Sequence, residues 1–324
     1  MNTILILGAN GRFGQAATQA FADAGWRVLA QLRRAPTQPL PTGAAALTLP
    51  LADTAGLVAQ AASASAVVHA INPIYTRWDQ EAMPALHQGL AVAQGLNALF
   101  MLPGNVYNFG TGMPALLHED TPQAAEHAKG RLRRQMEDTM RERTGQGLRS
   151  VVIRAGDFFG GGTGSWFDQA IVKSIANGKL VYPGPLDRVH AWAYLPDLAR
   201  AFVAVAARPP QSAFETFHFA GHALTGEQLL QATEAAATTL GLRPERGFKR
   251  SAMPWGLIRA VGVVHPLWRE LARMRYLWQL PHALDGSRLA AHTALPPATP
   301  LQQALTQSLI DLGLAATAPR LAHS

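Results

Sequence analysis

Two short stretches of this chain carry residue types at spacings that could do chemistry. The first is GANGRFG, residues 8–14. Gly8 permits a tight turn, Gly11 lets the backbone approach a pyrophosphate, and Gly14 lets a following helix pack close to a sheet. The helix N-terminus would then turn free N–H groups toward phosphate, with Asn10, Arg12 and Phe13 in the same cradle. The next strand reports on the ribose. A site built for NAD usually ends this strand with an acid that binds the 2′-hydroxyl. Here RVLAQLRR puts Leu32 in that place, followed by Arg33 and Arg34. Arginine pairs well with a 2′-phosphate, and Arg12 lies close by in the turn, so NADP(H) is predicted in preference to NAD(H).

The second stretch is EHAKGRLRRQMED, residues 126–138, with four cations in its first nine residues. At about 100° per residue, Lys129, Leu132, Arg133, Met136 and Met140 share one helix face, while Arg131, Arg134, Asp138 and Glu142 fall on the other. The second group is mixed in sign and reads as a solvated surface. The first is apolar apart from Lys129 and Arg133, so it should turn toward a sheet, and its two cations need an anion or hydrogen-bonding partner. Cofactor ribose and phosphates are the expected partner. The run is therefore not a nucleic-acid stripe, and the net charge of +7 fits a dinucleotide as well as it fits a polynucleotide.

Elements that could position these residues alternate along the first two hundred positions. Strand candidates are 3–8, 27–32, 46–51, 66–71, 97–102 and 149–155, separated by alanine-rich helical stretches. Apolar strands alternating with helices predict an α/β fold, a doubly wound parallel sheet of Rossmann type, with ligands beyond the carboxyl ends of the strands. From about residue 160 the rhythm changes. The expected organisation is a nucleotide-binding domain over 1–160, to which 186–210 and part of 211–225 return, with a smaller substrate lobe from 161–185 and 226–324. Thr225 and Gln228 have capping-box spacing ahead of a helix, and Asp53 reads as an N-cap. Hydrophobic residues make up 48% and charged residues 15% of the chain, which excludes a disordered protein. The absence of cysteine excludes disulfides and a thiol nucleophile and suits a reducing cytoplasm, as does MNTILILG, which lacks a secretory leader. No uncharged run is long enough to span a bilayer. The segment 254–280, rich in Trp and Arg, could suit a membrane surface, but a helix pair covering an apolar pocket or a dimer contact is the favoured reading. Eleven histidines show no metal-ligand spacing, so no metal is predicted.

The motifs together resemble the extended short-chain dehydrogenase/reductases, the NAD(P)-dependent epimerase/dehydratase superfamily, over nearly the whole chain. GANGRFG matches the family's G-x-x-G-x-x-G turn. VVHAIN (67–72) resembles its fourth-strand segment, GNVYNFG (104–110) its fifth, and IRAGDFFGGG (153–162) its R-x-x-N-V-Y-G-P-G turn. RVHAWAYLPDLARAF (188–202) and LDGSRLAAHTALPPATPLQQAL (284–305) resemble the later segments. The resemblance implies cofactor contacts at Ala70, Ile71, Asn72, Pro103, Lys129, Gly156 and Phe158, and a dimer through the fourth and fifth helices. It also implies a Ser/Thr and Tyr-x-x-x-Lys triad, and here the chain departs from the pattern. The hydroxyl position falls on Pro103, the tyrosine position on Lys129 and the lysine position on Arg133.

If Lys129 holds the tyrosine's place, its nitrogen could donate a proton to a carbonyl that receives hydride. Burial and a neighbouring Arg133 would both favour the neutral amine, the direction that proton transfer requires. Lys129 and Arg133 are thus the candidate catalytic pair. The other reading leaves Lys129 holding ribose or phosphate only. Tyr75 and Trp78, after the fourth strand, and Asn105 and Tyr107, after the fifth, should overhang the nicotinamide end. With His190 and Trp192 they form the candidate substrate wall, although His190 and Trp192 alternate on a strand and could equally pack a core. The aromatic residues favour a small apolar or ring-bearing substrate. The expected function is an NADP(H)-dependent oxidoreductase acting on a carbonyl or enone. The alternative is a binding or sensing protein of the same fold without chemistry.

Overall fold

The computed structural model describes residues 1–314; the last ten positions of the expected lobe, 315–324, lie outside the described residues. Five strands open the chain: β1 (Thr3–Leu7), β2 (Arg27–Gln31), β3 (Ala44–Leu47), β4 (Ala64–His69) and β5 (Leu99–Gly104). Between and after them run α1 (Arg12–Asp23), α2 (Thr54–Gln60), α3 (Trp78–Gly95) and α4 (Ala128–Glu142). The strands Ser150–Arg154 and Phe214–His218 complete a seven-stranded sheet. Its order is Phe214–His218, Ser150–Arg154, β5, β4, β1, β2, β3, and every pairing is parallel.

Sequence dictates both covered faces. β1 is TILIL, buried at every position, and successive side chains of a strand point to opposite faces. Ile4 and Ile6 therefore pack with Phe13 and Phe21 of α1 and Phe202 of α5 (Leu195–Ala207). Leu5 and Leu7 pack on the other side with Leu57 of α2, Leu86 and Leu90 of α3, and Met136 and Met140 of α4. β3 ends at Leu47, short of the expected 51. Leu49 N–H turns back to the Leu47 carbonyl, Pro50 offers no N–H, and the Gln31 amide takes the Leu49 carbonyl instead.

The remaining chain builds a second layer over the carboxyl ends of the strands. Val189–Tyr194 does not join the large sheet. It pairs with Asp157–Phe159 on one side and His222–Thr225 on the other. α6 (Gly226–Thr239) starts from the expected Thr225–Gln228 capping box, with both reciprocal hydrogen bonds made. α7 (Trp255–Gly262) and α8 (Pro266–Arg273) form a hairpin, followed by short helical turns at Tyr276–Gln279 and a helix at Leu301–Asp311. Their common core holds Phe159, Phe167, Trp192, Tyr194, Leu230, Trp255, Ile258, Trp278, Leu305 and Leu309.

Candidate functional site

At the phosphate end the glycines do what their spacing requires. Gly8 adopts φ +81°, and a Cβ there would lie 2.8 Å from Ile71 Cγ1. A Cβ on Gly14 would collide with the Gly8 carbonyl, so α1 packs against the turn only because that atom is missing. α1 begins on Gly11 with no side-chain cap, which leaves its first-turn N–H groups open to an anion. Beside the turn a cavity of ≈ 340 Å³ is lined by Asn10, Arg12, Gln15, Gln38, Gly161, Gly162, Thr163 and Asp311. The side chains around it are partly committed. Asn10 receives Thr37 N–H and donates to the Ala35 carbonyl, pinning the loop after β2 over the turn. The Arg12 guanidinium donates to the Gly160 carbonyl at 2.6 Å, and burial lowers its pKa. Arg33 and Arg34 are exposed just beyond buried Leu32. Asp53 caps α2 by accepting Gly56 N–H.

At the other end α4 presents the face expected of it. Lys129, Leu132, Met136 and Met140 are buried, Arg133 is half-buried, and Arg131 and Arg134 are exposed. Gly130 lets the helix come this close, because a Cβ there would collide with the Tyr107 carbonyl. The lysine's partners, however, are protein atoms. Lys129 Nζ donates to the Tyr75 carbonyl at 2.8 Å and lies 3.3 Å from Glu270 Oε2 of α8. The Tyr75 ring lies 4.0 Å from it and the Trp78 ring 5.3 Å. Arg133 stacks 4.8 Å from the Trp78 ring and donates to the Pro103 carbonyl at 3.3 Å, while its Nε is buried without a partner. Below it His69 is kept neutral, its pKa held down at about 3 by burial and then by Arg133.

Tyr75 and Tyr107 turn their hydroxyls toward each other, and burial raises the pKa of both. Asn105 accepts the Tyr107 N–H and so shapes the turn after β5. On the lobe side the charge of Asp157 raises both further, and its Oδ2 lies 2.9 Å from His190 Nε2. His190 is stacked on Trp278, with centroids 4.2 Å apart, and meets the edge of His282 at 4.4 Å. Trp192 is fully buried in the lobe core, with its Nε1 unpartnered, so it backs the His190 wall more than it lines it. Gly156 is packed so tightly on the Ala191 carbonyl that a side chain would not fit. Asn72 is exposed, Ile71 and Phe158 are half-buried and Ala70 is buried at the same strand ends.

Three participants escaped sequence reasoning. Glu270 lies 141 positions from Lys129, and nothing in its helix marks it as a partner. Asp157 did leave a signal, since it stands where the family pattern has asparagine in R-x-x-N. Glu137 follows Arg133 by one helical repeat, on the buried side of α4. It is bound on both oxygens by Arg154, at 3.0 and 2.6 Å, and also accepts from Asn108 and Gln123. Among the described residues no three His, Asp or Glu side chains converge as a metal site requires.

A glycine turn on an open helix N-terminus, beneath a parallel sheet with a lobe over its strand ends, defines a nucleotide-binding protein of Rossmann type. The chain belongs to the NAD dependent epimerase/dehydratase family, whose model matches residues 4–218. Solved structures agree with it in fold. The UDP-Glc/GlcNAc 4-epimerase of Campylobacter jejuni superposes with a TM-score of 0.70 at 15% identity, covering 96% of this chain and 99% of that one. A putative epimerase from Burkholderia cenocepacia gives 0.72 at 18%, covering 98% and 99%. The Bordetella bronchiseptica enzyme WbmH, solved in complex with NAD+, gives 0.71 at 17%, covering 96% and 98%. A search of the curated proteins found no match.

Proposed function

We propose that this protein is an NADP(H)-dependent oxidoreductase of a small apolar or ring-bearing carbonyl or enone, with Lys129 in the proton donor's place. Bound cofactor would supply hydride from its nicotinamide ring. The residues present fit such a group. The uncapped start of α1 would hold the pyrophosphate, the exposed Arg33 and Arg34 the 2′-phosphate, and the unpartnered Arg133 Nε a ribose oxygen. No acid ends β2 to favour the free hydroxyl.

The observation that carries the chemistry is the setting of Lys129. An ammonium has three protons. The Tyr75 carbonyl takes one and Glu270 lies 3.3 Å away as the ion-pair partner, while the faces of Tyr75 and Trp78 stabilise the charge and exclude water. A proton that the Tyr75 carbonyl does not take would be given to a substrate oxygen that gains negative charge. Tyr107 and the Asp157–His190 pair would orient the substrate from the lobe side. UDP-sugar epimerisation, the activity named for structural neighbours such as the C. jejuni enzyme, is disfavoured because Pro103, Lys129 and Arg133 replace the hydroxyl, tyrosine and lysine positions.

A second reading has one observation in its favour. The Glu270 contact closes Lys129 from the lobe, as it would in a protein that binds the dinucleotide without turning it over. Titration with NADPH and NADH, followed by nicotinamide fluorescence, comes first. Tight NADPH binding with much weaker NADH binding is expected. Consumption of NADPH with a panel of carbonyls and enones, reduced about 10²–10⁴-fold in Lys129→Ala, would distinguish the enzyme from the sensor. Failure to bind either nucleotide would end both readings.

A further inference from the structure

The α7–α8 hairpin carries an apolar tip with a basic rim that neither reading of the site uses. Four of the nine most exposed large apolar side chains among the described residues lie within it, at Leu257, Val263, Val264 and Leu267. Val263 and Val264 are 76% and 82% exposed at the turn between the helices. Arg259 on α7 and Arg269 on α8, whose backbone packs against Gly262 beside the turn, are exposed as well, as is Arg273 at the far end of α8. The single carboxylate between 254 and 280, Glu270, points inward to Lys129 and is shared with Arg273. α8 is strongly two-sided. Trp268, Leu271 and Ala272 are half-buried and no residue of the helix is fully buried.

We propose that this hairpin docks the protein on the surface of an anionic lipid bilayer. An amphipathic helix pair with arginines beside its apolar edge seats that edge at the headgroup boundary, and each basic residue adds attraction to anionic lipid. Neither helix is long enough to cross: among the described residues no helix is long and apolar enough to span a membrane. Charge also separates lipid from the other obvious occupant. A second copy docked here about a two-fold axis would set arginine rims against each other with no facing carboxylate, whereas lipid phosphate neutralises them. α8 is also the helix that carries Glu270 over Lys129, so docking would hold the cover of the candidate site against the bilayer. That consequence, and the fit to an apolar substrate drawn from the membrane, rest on the function proposed above. The docking itself does not.

The test is co-sedimentation of the full chain with vesicles of phosphatidylcholine alone and with vesicles that also contain phosphatidylglycerol. Wild-type protein should pellet with the second and stay in solution with the first. Each of Arg259→Ala and Arg269→Ala should weaken partition about fivefold, and the double change Val263→Asp with Val264→Asp should abolish it. Thermal melts of all variants establish that they fold. Absence of binding to phosphatidylglycerol vesicles, equal binding to both compositions, or wild-type binding by the folded double variant overturns the proposal. So does concentration-dependent self-association in sedimentation velocity that the double variant removes, which would assign the patch to a second copy.

Discussion

Helix α4 carries a buried ion pair at each end of one face, and the two pairs are built differently. Glu137 meets Arg154 through two parallel hydrogen bonds, with both side chains at most 3% exposed, and Asn108 and Gln123 take further lone pairs on the carboxylate. His218 lies 3.3 Å from the remaining arginine nitrogen. Every charge in that cluster is matched within a fixed core. Lys129 is as deeply buried, but its carboxylate comes from α8, is 17% exposed, and is shared with Arg273 on the surface. The first pair holds the sheet to its helix. The second sits where α8 of the lobe meets the candidate active site, and because its carboxylate is partly open to water its energy is correspondingly easier to give up.

Breaking the first pair should have the largest effect. Glu137→Ala would leave the Arg154 guanidinium uncompensated in the core and should cost about 3–5 kcal/mol in chemical denaturation. Replacing both partners by apolar residues, Glu137→Leu with Arg154→Met, should recover much of that loss, because no buried charge is stranded. A recovery no better than the single change would mean that the network positions α4 and does not merely neutralise itself. Lys129→Met should cost less, about 1–2 kcal/mol, since Glu270 can turn to water and the methionine stem still packs between Tyr75 and Trp78. Equal losses at the two sites would erase the distinction drawn between them.

The same contrast separates what could be read in the chain from what could not. The tight glycine turn ahead of α1 and the one-sided burial of α4 follow from local spacing and helical period, and they are present as expected. The parallel sheet was legible for the same reason: its inner apolar strands, β1 and Ser150–Arg154 most completely, are buried on both faces. Burial of Lys129 was legible too, but its partner was not. The expectation of a ribose or phosphate partner supposed that a buried cation beside a nucleotide turn must look to the nucleotide. A carboxylate 141 positions away on the lobe lies beside it as well, and no period connects positions so far apart. His190 was assigned to the substrate wall without its Asp157 partner, because strand alternation places side chains on a face and does not say what the neighbouring strand brings to it.

Burial, with Arg133 or Arg154 adding to it, also keeps one histidine neutral beside each site, which gives a smaller and pH-dependent way to compare the two. His69 is held at about 3 by burial and then by Arg133, and His218 at about 4 by burial and then by Arg154. An unfolded histidine takes its proton near pH 6.5. Below that value the unfolded chain binds protons that the folded chain refuses, so stability present above about pH 6.5 falls as the solution is acidified, by about 1.4 kcal/mol per pH unit for each such histidine. The loss from His69 should continue down to about pH 3, and that from His218 only to about 4. His69 Nδ1 has no partner, so His69→Leu removes a buried polar atom without stranding another. It should leave stability near neutral pH little changed and flatten the acid limb by about 1.4 kcal/mol per pH unit, read from urea midpoints between pH 4 and 7. An unchanged slope would mean that His69 takes up its proton in the folded protein, with Arg133 moving away to admit it. The guanidinium at the proposed ribose contact would then be mobile, unlike the arginine that Glu137 holds.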